Sequence, residues 1–381
     1  MYCRENNLLN MKKAFLIHYD GYYDIRLKYV EQNLEERGYQ VTLLFSDFNH
    51  FTKSRKTYSN KNLKLIHVPK YKKNISVKRI LSYLSFTKQV RKILNEEKPD
   101  FIYAIIPPNF LANNLANFKI KHPKIKVVFD VFDLYPEQMP RLSDTAVAKI
   151  WGNLRNKSLK KVDYIILECN YYKKVLLQYL DEDKNSVLYL NRSHLEIPYE
   201  FEWKNDQIDI AYLGSINHHI DIDKIIELLS AINEKKKILF HIIGDGERRK
   251  KLIIQLKENN IDYQFYGRIF DESKKRNILQ KCQYGINIYR EGLGIGLTMK
   301  SIEYYQIGLP IINSGIYDTR ILCDENKSGI NFEGKESIDK LVAINKEDWE
   351  ILLLKSLNIF KEKFSDDSYI SGLSKILDKV L

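Results

Sequence analysis

Residues 291–313 read EGLGIGLTMKSIEYYQIGLPIIN, and how this stretch is parsed decides the fold. Gly292, Gly294 and Gly296 lead into a helix that starts near Thr298 and stops at Gly308. Pro310 then opens an apolar run, LPIIN, that reads as a strand. Glycines let a backbone approach a ligand closely, and a helix N-terminus offers unpaired N–H groups with partial positive charge. Lys300 adds a full charge in the first turn, and Glu303, three residues on, lies on the same face. A cation beside free amides, with one carboxylate able to accept from paired hydroxyls, describes a pocket for a nucleotide sugar. A tight αβ connection carrying a solvated Lys–Glu pair would use the same residues, so the rest of the chain has to decide.

Working outward, strand–helix alternation continues in both directions. Upstream, strand patterns fall at 13–19, 40–45, 63–68, 100–106, 126–130, 163–169 and 186–190. Between them, helical spacing appears in Tyr23, Leu27, Val30 and Leu34, in Val77, Ile80, Leu81, Leu84, Val90 and Ile93, and over 171–180. Residues 191–207 have mixed polarity and no period, and read as a linker. Strands then recur at 209–213, 238–243, 263–266, 284–289, 309–313 and 329–332, interleaved with helices at 223–232, 248–259 and 273–281 and closed by helices at 348–364 and 368–380. This predicts an α/β chain of two tandem, doubly wound, Rossmann-like domains over 11–195 and 205–365, facing across a cleft. A last helix within 366–381 is expected to pack back on the first domain. Ligands in such sheets bind outside the carboxyl ends of the strands. The loops to watch are therefore Asp20-Gly21, 107–109, 130–137, 214–219, 244–247, Gly267-Arg268 and 291–300.

Composition narrows the class. A chain of 381 residues with 44% hydrophobic content can build two full cores. No apolar run is long enough to span a bilayer, and the first residues lack the apolar core of a signal peptide. Four cysteines, widely spaced and without a CxxC pair, speak against a zinc site or a disulfide framework and fit a reducing cytoplasm. The net charge of +12 is concentrated: residues 48–95 hold thirteen Lys or Arg and no Asp or Glu. Such a segment suits an anionic membrane surface or a solvated face. It lacks any recognition motif or stacking signature for nucleic acid.

Four stretches carry a resemblance: YLGSI at 212–216, HIIGDGERRKKL at 241–252, FYGRI at 265–269 and MKSIEYYQIGLPII at 299–312. They resemble successive donor-domain motifs of glycosyltransferase family 4, whose members have the GT-B fold, and DVFDLYPE at 130–137 resembles a loop of bacterial surface-polysaccharide members. The resemblance implies metal-independent, retaining transfer of a sugar from a UDP, GDP or dTDP carrier to a glycan acceptor, often lipid-linked, with no cofactor and no covalent intermediate. Acting on a protein-linked glycan, or a non-catalytic glycan-binding role, is the alternative. By the resemblance Glu303 accepts from the ribose hydroxyls, Lys300 lies near the diphosphate, Gly214-Ser215 beside the phosphates, and Gly267-Arg268 near the base. One departure is Ile295, where the family's pattern has a glutamate eight residues before the ribose-binding one.

Chemistry at the site requires stabilising a leaving diphosphate. Lys300, Thr298 and the loop amides, with Gly244, Gly296 and Ser301 nearby, fit that requirement. His218 and His219 either donate to the diphosphate or are plain exposed loop residues. On the acceptor side, Asp133 either positions or deprotonates the acceptor hydroxyl or caps the following turn. Asp20, Gly21 and Asp130 stand at strand ends in the same half. Peripheral attachment to the inner face of the cell membrane through residues 48–95 completes the expectation.

Overall fold

The computed structural model describes residues 11–20, 24–57, 62–74, 76–138, 145–193, 201–315 and 317–381. Its central strand β1 (Lys12–His18) is buried over its last five residues, which marks a strand covered on both faces. It pairs in parallel with β2 (Tyr39–Ser46) on one side and β4 (Phe101–Ile106) on the other. With β3 (Leu63–Ile66), β5 (Lys126–Val131), β6 (Tyr164–Leu167) and β7 (Asn185–Val187), the sheet runs β3-β2-β1-β4-β5-β6-β7. The second sheet comprises β8 (Gln207–Leu213), β9 (Lys237–Ile243), β10 (Tyr263–Gly267), β11 (Tyr284–Asn287), β12 (Ile311–Asn313) and β13 (Gly329–Asn331), in the order β10-β9-β8-β11-β12-β13. Every pairing in both sheets is parallel. The order therefore reverses between β1 and β4 in one sheet and between β8 and β11 in the other, and these switch points are where doubly wound sheets open a crevice for ligands.

Helices of the first sheet are α1 (Asp24–Glu36), α2 (Val77–Glu97), α3 (Asn109–Lys121), α4 (Ala146–Leu159) and α5 (Asn170–Leu176). Those of the second are α6 (Ile222–Asn233), α7 (Arg249–Glu258), α8 (Glu272–Leu279), α9 (Met299–Gln306), α10 (Asp318–Asn326), α11 (Lys335–Ala343) and α12 (Lys346–Ile359), followed by α13 (Asp366–Val380). The chain forms two compact units, one reaching Leu190 and including Ile370–Leu381, the other Asn191–Tyr369. The C-terminal helix α13 thus ends in the first unit, where an added Cβ on Gly372 would meet Leu188 at 2.8 Å. Arg37, just past the end of α1, donates to Ser374 Oγ at 2.9 Å.

Some elements differ from the sequence expectation. α3 and α4 had no clear apolar period, because Asn and Lys interrupt their buried Leu and Ala positions. In α2 the core face is Tyr83, Phe86, Val90 and Leu94, whereas Val77, Leu81 and Leu84, read as core, are exposed. Asp130 is not in a loop but inside β5. No helix among the described residues is long and apolar enough to cross a membrane.

Candidate functional site

At the carboxyl ends of β8, β9 and β10 three glycines lie side by side. Gly214 N–H donates to Ile243 O at 2.9 Å, and Gly244 N–H to Gly267 O at 2.7 Å. A Cβ on Gly244 would sit 1.9 Å from Gly214 O, and Gly244 has φ of 143°, so only glycine lets the two loops approach this closely. Gly246 packs in the same way on the carbonyl of Ile216. The row brings Gly214, Gly244 and Gly267 together as the motifs required.

Lys300 reaches this row. An added Cβ on Gly214 would lie 3.6 Å from Lys300 Cε and 3.9 Å from Nζ. The ammonium stands over the rings of Tyr212 at 4.2 Å and Tyr289 at 4.9 Å, and no carboxylate among the described residues pairs with it. Only 8% of the residue is exposed, and burial lowers its pKa to about 7. A cation held without an anion in a dry setting is costly unless an anionic ligand supplies the missing charge. Its position is fixed one turn later by Tyr304. The hydroxyl of Tyr304 accepts from Leu213 N–H at 2.9 Å, and its ring occupies the space a Cβ on Gly285 would fill, 2.7 Å away. Tyr304 thereby plugs α9 into the switch point between β8 and β11.

Thr298 caps α9: its Oγ1 accepts from Ser301 N–H at 3.2 Å and donates to Asn287 Oδ1 at 3.0 Å. Ser301 is fully buried and hydrogen-bonded to Thr298, so both side chains hold the helix start while helix geometry leaves the N–H groups of Met299 and Lys300 unpaired. Asn287 in turn donates to Asn313 Oδ1 at 2.9 Å, and Asn313 to Asn331 Oδ1 at 2.7 Å, a ladder across the ends of β11, β12 and β13. Above it lies a cavity of about 410 Å³ lined by Tyr289, Glu291, Ile295, Gly296, Thr298 and Tyr317 among others. Neither Lys300 nor Gly214 lines it. Glu291 is 88% exposed and faces Lys224 at 3.7 Å.

The remaining donor-side residues are more scattered. Glu303 does not pair with Lys300: Arg192 Nη2 meets one carboxylate oxygen at 2.5 Å and Lys275 Nζ the other at 2.9 Å. Each Glu303 oxygen holds one cation and keeps a lone pair that can accept a further hydroxyl. Ser215, His218 and His219 are exposed, and His218 approaches only Glu247, at 4.0 Å. Arg268 is exposed and lines a separate polar hollow of about 350 Å³ with Asp245, Gly246, Glu247, Arg249 and Lys250.

In the first unit the ends of β1 and β5 converge on a tyrosine-rich cluster. Arg79 stands over the rings of Tyr83 at 5.2 Å, Tyr135 at 5.7 Å and Tyr71 at 5.8 Å, and its Nε donates to Tyr83 Oη at 2.8 Å. Its charge acts on both Asp20 and Asp133. Asp133 is exposed, yet the surrounding protein desolvates its carboxyl and raises its pKa to about 6, with Asp20 adding to the rise and Arg79 opposing it. Burial raises Asp20 too, against the pull of Lys56, Arg79 and Lys53, and its Oδ1 is buried without a hydrogen-bond partner. Asp130, expected on the acceptor side, is fully buried inside β5; Arg26 Nε at 2.9 Å and the donating Tyr103 hydroxyl at 2.6 Å both meet its Oδ2. His18 is buried, and burial, then Lys56, lowers its pKa to about 3. Gly21 lies outside the described residues.

Residues that sequence reading passed over are Tyr212, Tyr289 and Tyr304 around Lys300, Arg192 and Lys275 on Glu303, and Arg79 with its tyrosines. The only available signal was that Tyr212 and Tyr289 each end an apolar strand pattern just before a loop. No cluster of three His, Cys, Asp or Glu suited to a metal occurs among the described residues.

Comparison with known proteins gives a consistent picture. Residues 193–348 match the family Glycosyl transferases group 1, and residues 26–190 match Glycosyltransferase Family 4. A curated relative, a chitobiosyldiphosphodolichol beta-mannosyltransferase of Kluyveromyces lactis, is 22% identical over 183 residues, covering 45% of this chain and 40% of the relative. The same-named protein of Candida glabrata is 22% identical over 116 residues, covering 30% of this chain and 26% of the relative. The chain thus spans well under half the length of the curated relatives it matches. Among solved structures, the lipopolysaccharide outer core galactosyltransferase WaaB in its apo form superposes with a TM-score of 0.68 at 14% identity, over 97% of this chain and all of the other. The Anabaena protein HepE in complex with UDP and glucose gives 0.65 at 11% identity, over 97% of this chain and 100% of the other.

Proposed function

Because the chain belongs to the family 4-like glycosyltransferases of GT-B type, we propose that it moves a sugar, with retention, from a nucleoside diphosphate to a glycan hydroxyl. The observation that carries this reading is Lys300, a buried ammonium with no carboxylate, held against the Gly214 loop at a switch point. An anionic diphosphate there gains from a cation already in place and from the free N–H groups of Met299 and Lys300, and its developing negative charge is stabilised as the glycosidic bond breaks. The proposed reaction calls on no resident cofactor. Glu303 accepts from the ribose hydroxyls with the lone pairs that Arg192 and Lys275 leave open. In the first unit, Asp133, with a pKa of about 6, is placed in the range where a carboxylate accepts a proton efficiently near neutral pH, and it receives the acceptor hydroxyl.

The acceptor we propose is lipid-linked, in the synthesis of a surface polysaccharide. The curated yeast relatives carry a dolichol-linked substrate in their name. The exposed Val77, Leu81 and Leu84 of α2, flanked by Lys78 and Lys88 within the acid-free segment 48–95, suit an anionic lipid surface. A direct test screens purified protein against UDP-, GDP- and dTDP-sugars by thermal shift, then follows nucleoside diphosphate release with lipid-linked glycan acceptors. Stabilisation by one donor and acceptor-dependent release are expected. No shift and no release across the panel would refute the transferase reading. Flotation with anionic vesicles, weakened by salt, is expected for the membrane role, and absence of flotation refutes it.

A further inference from the structure

At the other end of the first sheet from Asp20 and Asp133, the starts of β5 and β6, the end of α4 and the last turn of α13 enclose a cavity of about 360 Å³. Its charged lining is six lysines, Lys119, Lys126, Lys160, Lys161, Lys184 and Lys379, against Asp163 and Asp183. The carboxylate of Asp163 offsets two of these lysines: it accepts from Lys119 Nζ at 2.9 Å and from the Val127 N–H at 2.8 Å, and lies 3.9 Å from Lys126 Nζ. Lys119 also donates to the carbonyls of Pro123 and Ile125, so this pair is a structural brace. Lys160 and Lys161 are exposed and have no ion pair among the described residues. Lys184 meets only Asp181, at 3.6 Å and largely in solvent. Lys379 stands 5.5 Å from the Tyr164 ring centroid and donates to the Asp183 carbonyl at 2.5 Å, which satisfies a donor without cancelling its charge.

Like charges gathered around a concavity raise the local concentration of anions, and cavities of this size fall in the range of small-ligand sites. No arginine lines the cavity. Lysine ammonium groups bind phosphate oxygens as point charges, and a polyphosphate carries enough negative charge to engage several of them at once. We infer that this lysine-lined cavity is a second anion site, for a small polyphosphate, distinct from the site around Lys300. A ligand there would join the last turn of α13 to the starts of β5 and β6. This inference does not depend on the glycosyl-transfer reading.

The test is calorimetric titration of the full chain with inorganic tripolyphosphate, together with lysine-acetylation footprinting read by mass spectrometry. In Lys300→Met, which lacks the switch-point cation, binding of one anion per chain is expected, with Lys160, Lys161 and Lys379 protected. Added to Lys300→Met, the double substitution K160E/K161E should weaken this binding at least tenfold, and K160Q/K161Q less. Both positions are exposed, so the fold should survive; if K160E/K161E does not fold, protection in the unaltered protein decides. Unchanged affinity in K160E/K161E, several anions bound per chain, protection elsewhere, or binding to anionic vesicles with none to the soluble anion would overturn the inference.

Discussion

Replacing Lys300 by methionine should make the protein more stable and unable to bind its donor. A lysine held at about 7 in the folded chain against 10.5 when free costs the folded state roughly 4 kcal/mol at pH 7. The rings of Tyr212 and Tyr289 return on the order of 1–2 kcal/mol of that as cation–π attraction. Methionine fills nearly the same volume without charge, so Lys300→Met should raise unfolding free energy by roughly 2–3 kcal/mol in urea at pH 7. The sign with pH is fixed. A lysine with a lowered folded pKa destabilises fully below about 7, and the penalty fades as pH rises toward 10.5. The gap between the two proteins should therefore shrink to about half by pH 9.

Donor binding follows the same group in the opposite sense. A nucleoside diphosphate sugar is anionic throughout this range and needs the ammonium protonated. Affinity measured by calorimetry should thus fall as pH climbs above 7, by up to about tenfold per pH unit, with proton uptake on binding. In Lys300→Met affinity should drop by at least a hundredfold and lose its pH dependence. A variant that is less stable at pH 7, or one that binds nucleotide sugar as before, would refute the assignment of Lys300 as a cation waiting for an anion.

Asp133→Asn should lower kcat with little change in donor affinity. The unaltered enzyme should also lose rate as pH falls through about 6, where Asp133 takes a proton, and a variant keeping that acid limb would exclude Asp133 as its source. Asp130→Ala removes the carboxylate 2.9 Å from the buried Arg26 guanidinium and should destabilise by about 3–5 kcal/mol in denaturant melts, against under 1 kcal/mol if the ion pair contributed little. Gly244→Ala places a methyl 1.9 Å from Gly214 O; loss of nucleotide-sugar affinity with a retained far-UV spectrum is expected, and intact affinity would show that the two loops need not touch.

Much of the fold was legible because parallel sheets announce themselves. Apolar runs such as DIAYL and ILFHII end in glycine, and the spacing between them admits one helix. What escaped was sided detail. In α2 the apolar positions Val77, Leu81 and Leu84 make as good a helical stripe as Tyr83, Phe86 and Val90, and only the neighbouring sheet decides which of them is covered. α3 and α4 were silent because Asn and Lys break the contrast that a period depends on.

The candidate site divides along the same line. Gly214, Gly244, Thr298 and Lys300 were readable because their roles depend on backbone geometry within a few residues. Asp130 was misread as a ligand-facing group because nothing local reveals Arg26, more than a hundred residues away in sequence, as its partner. Glu303 teaches the same point from the other direction: three residues from Lys300 on one helix, it makes its ion pairs with Arg192 and Lys275 instead. The consequence is an electrostatic separation that sequence spacing concealed. Because Glu303 is neutralised by other cations, the charge of Lys300 is not cancelled by its own helix and stays available at Gly214. A Lys300–Glu303 pair would have satisfied both groups and left the switch point without a free cation.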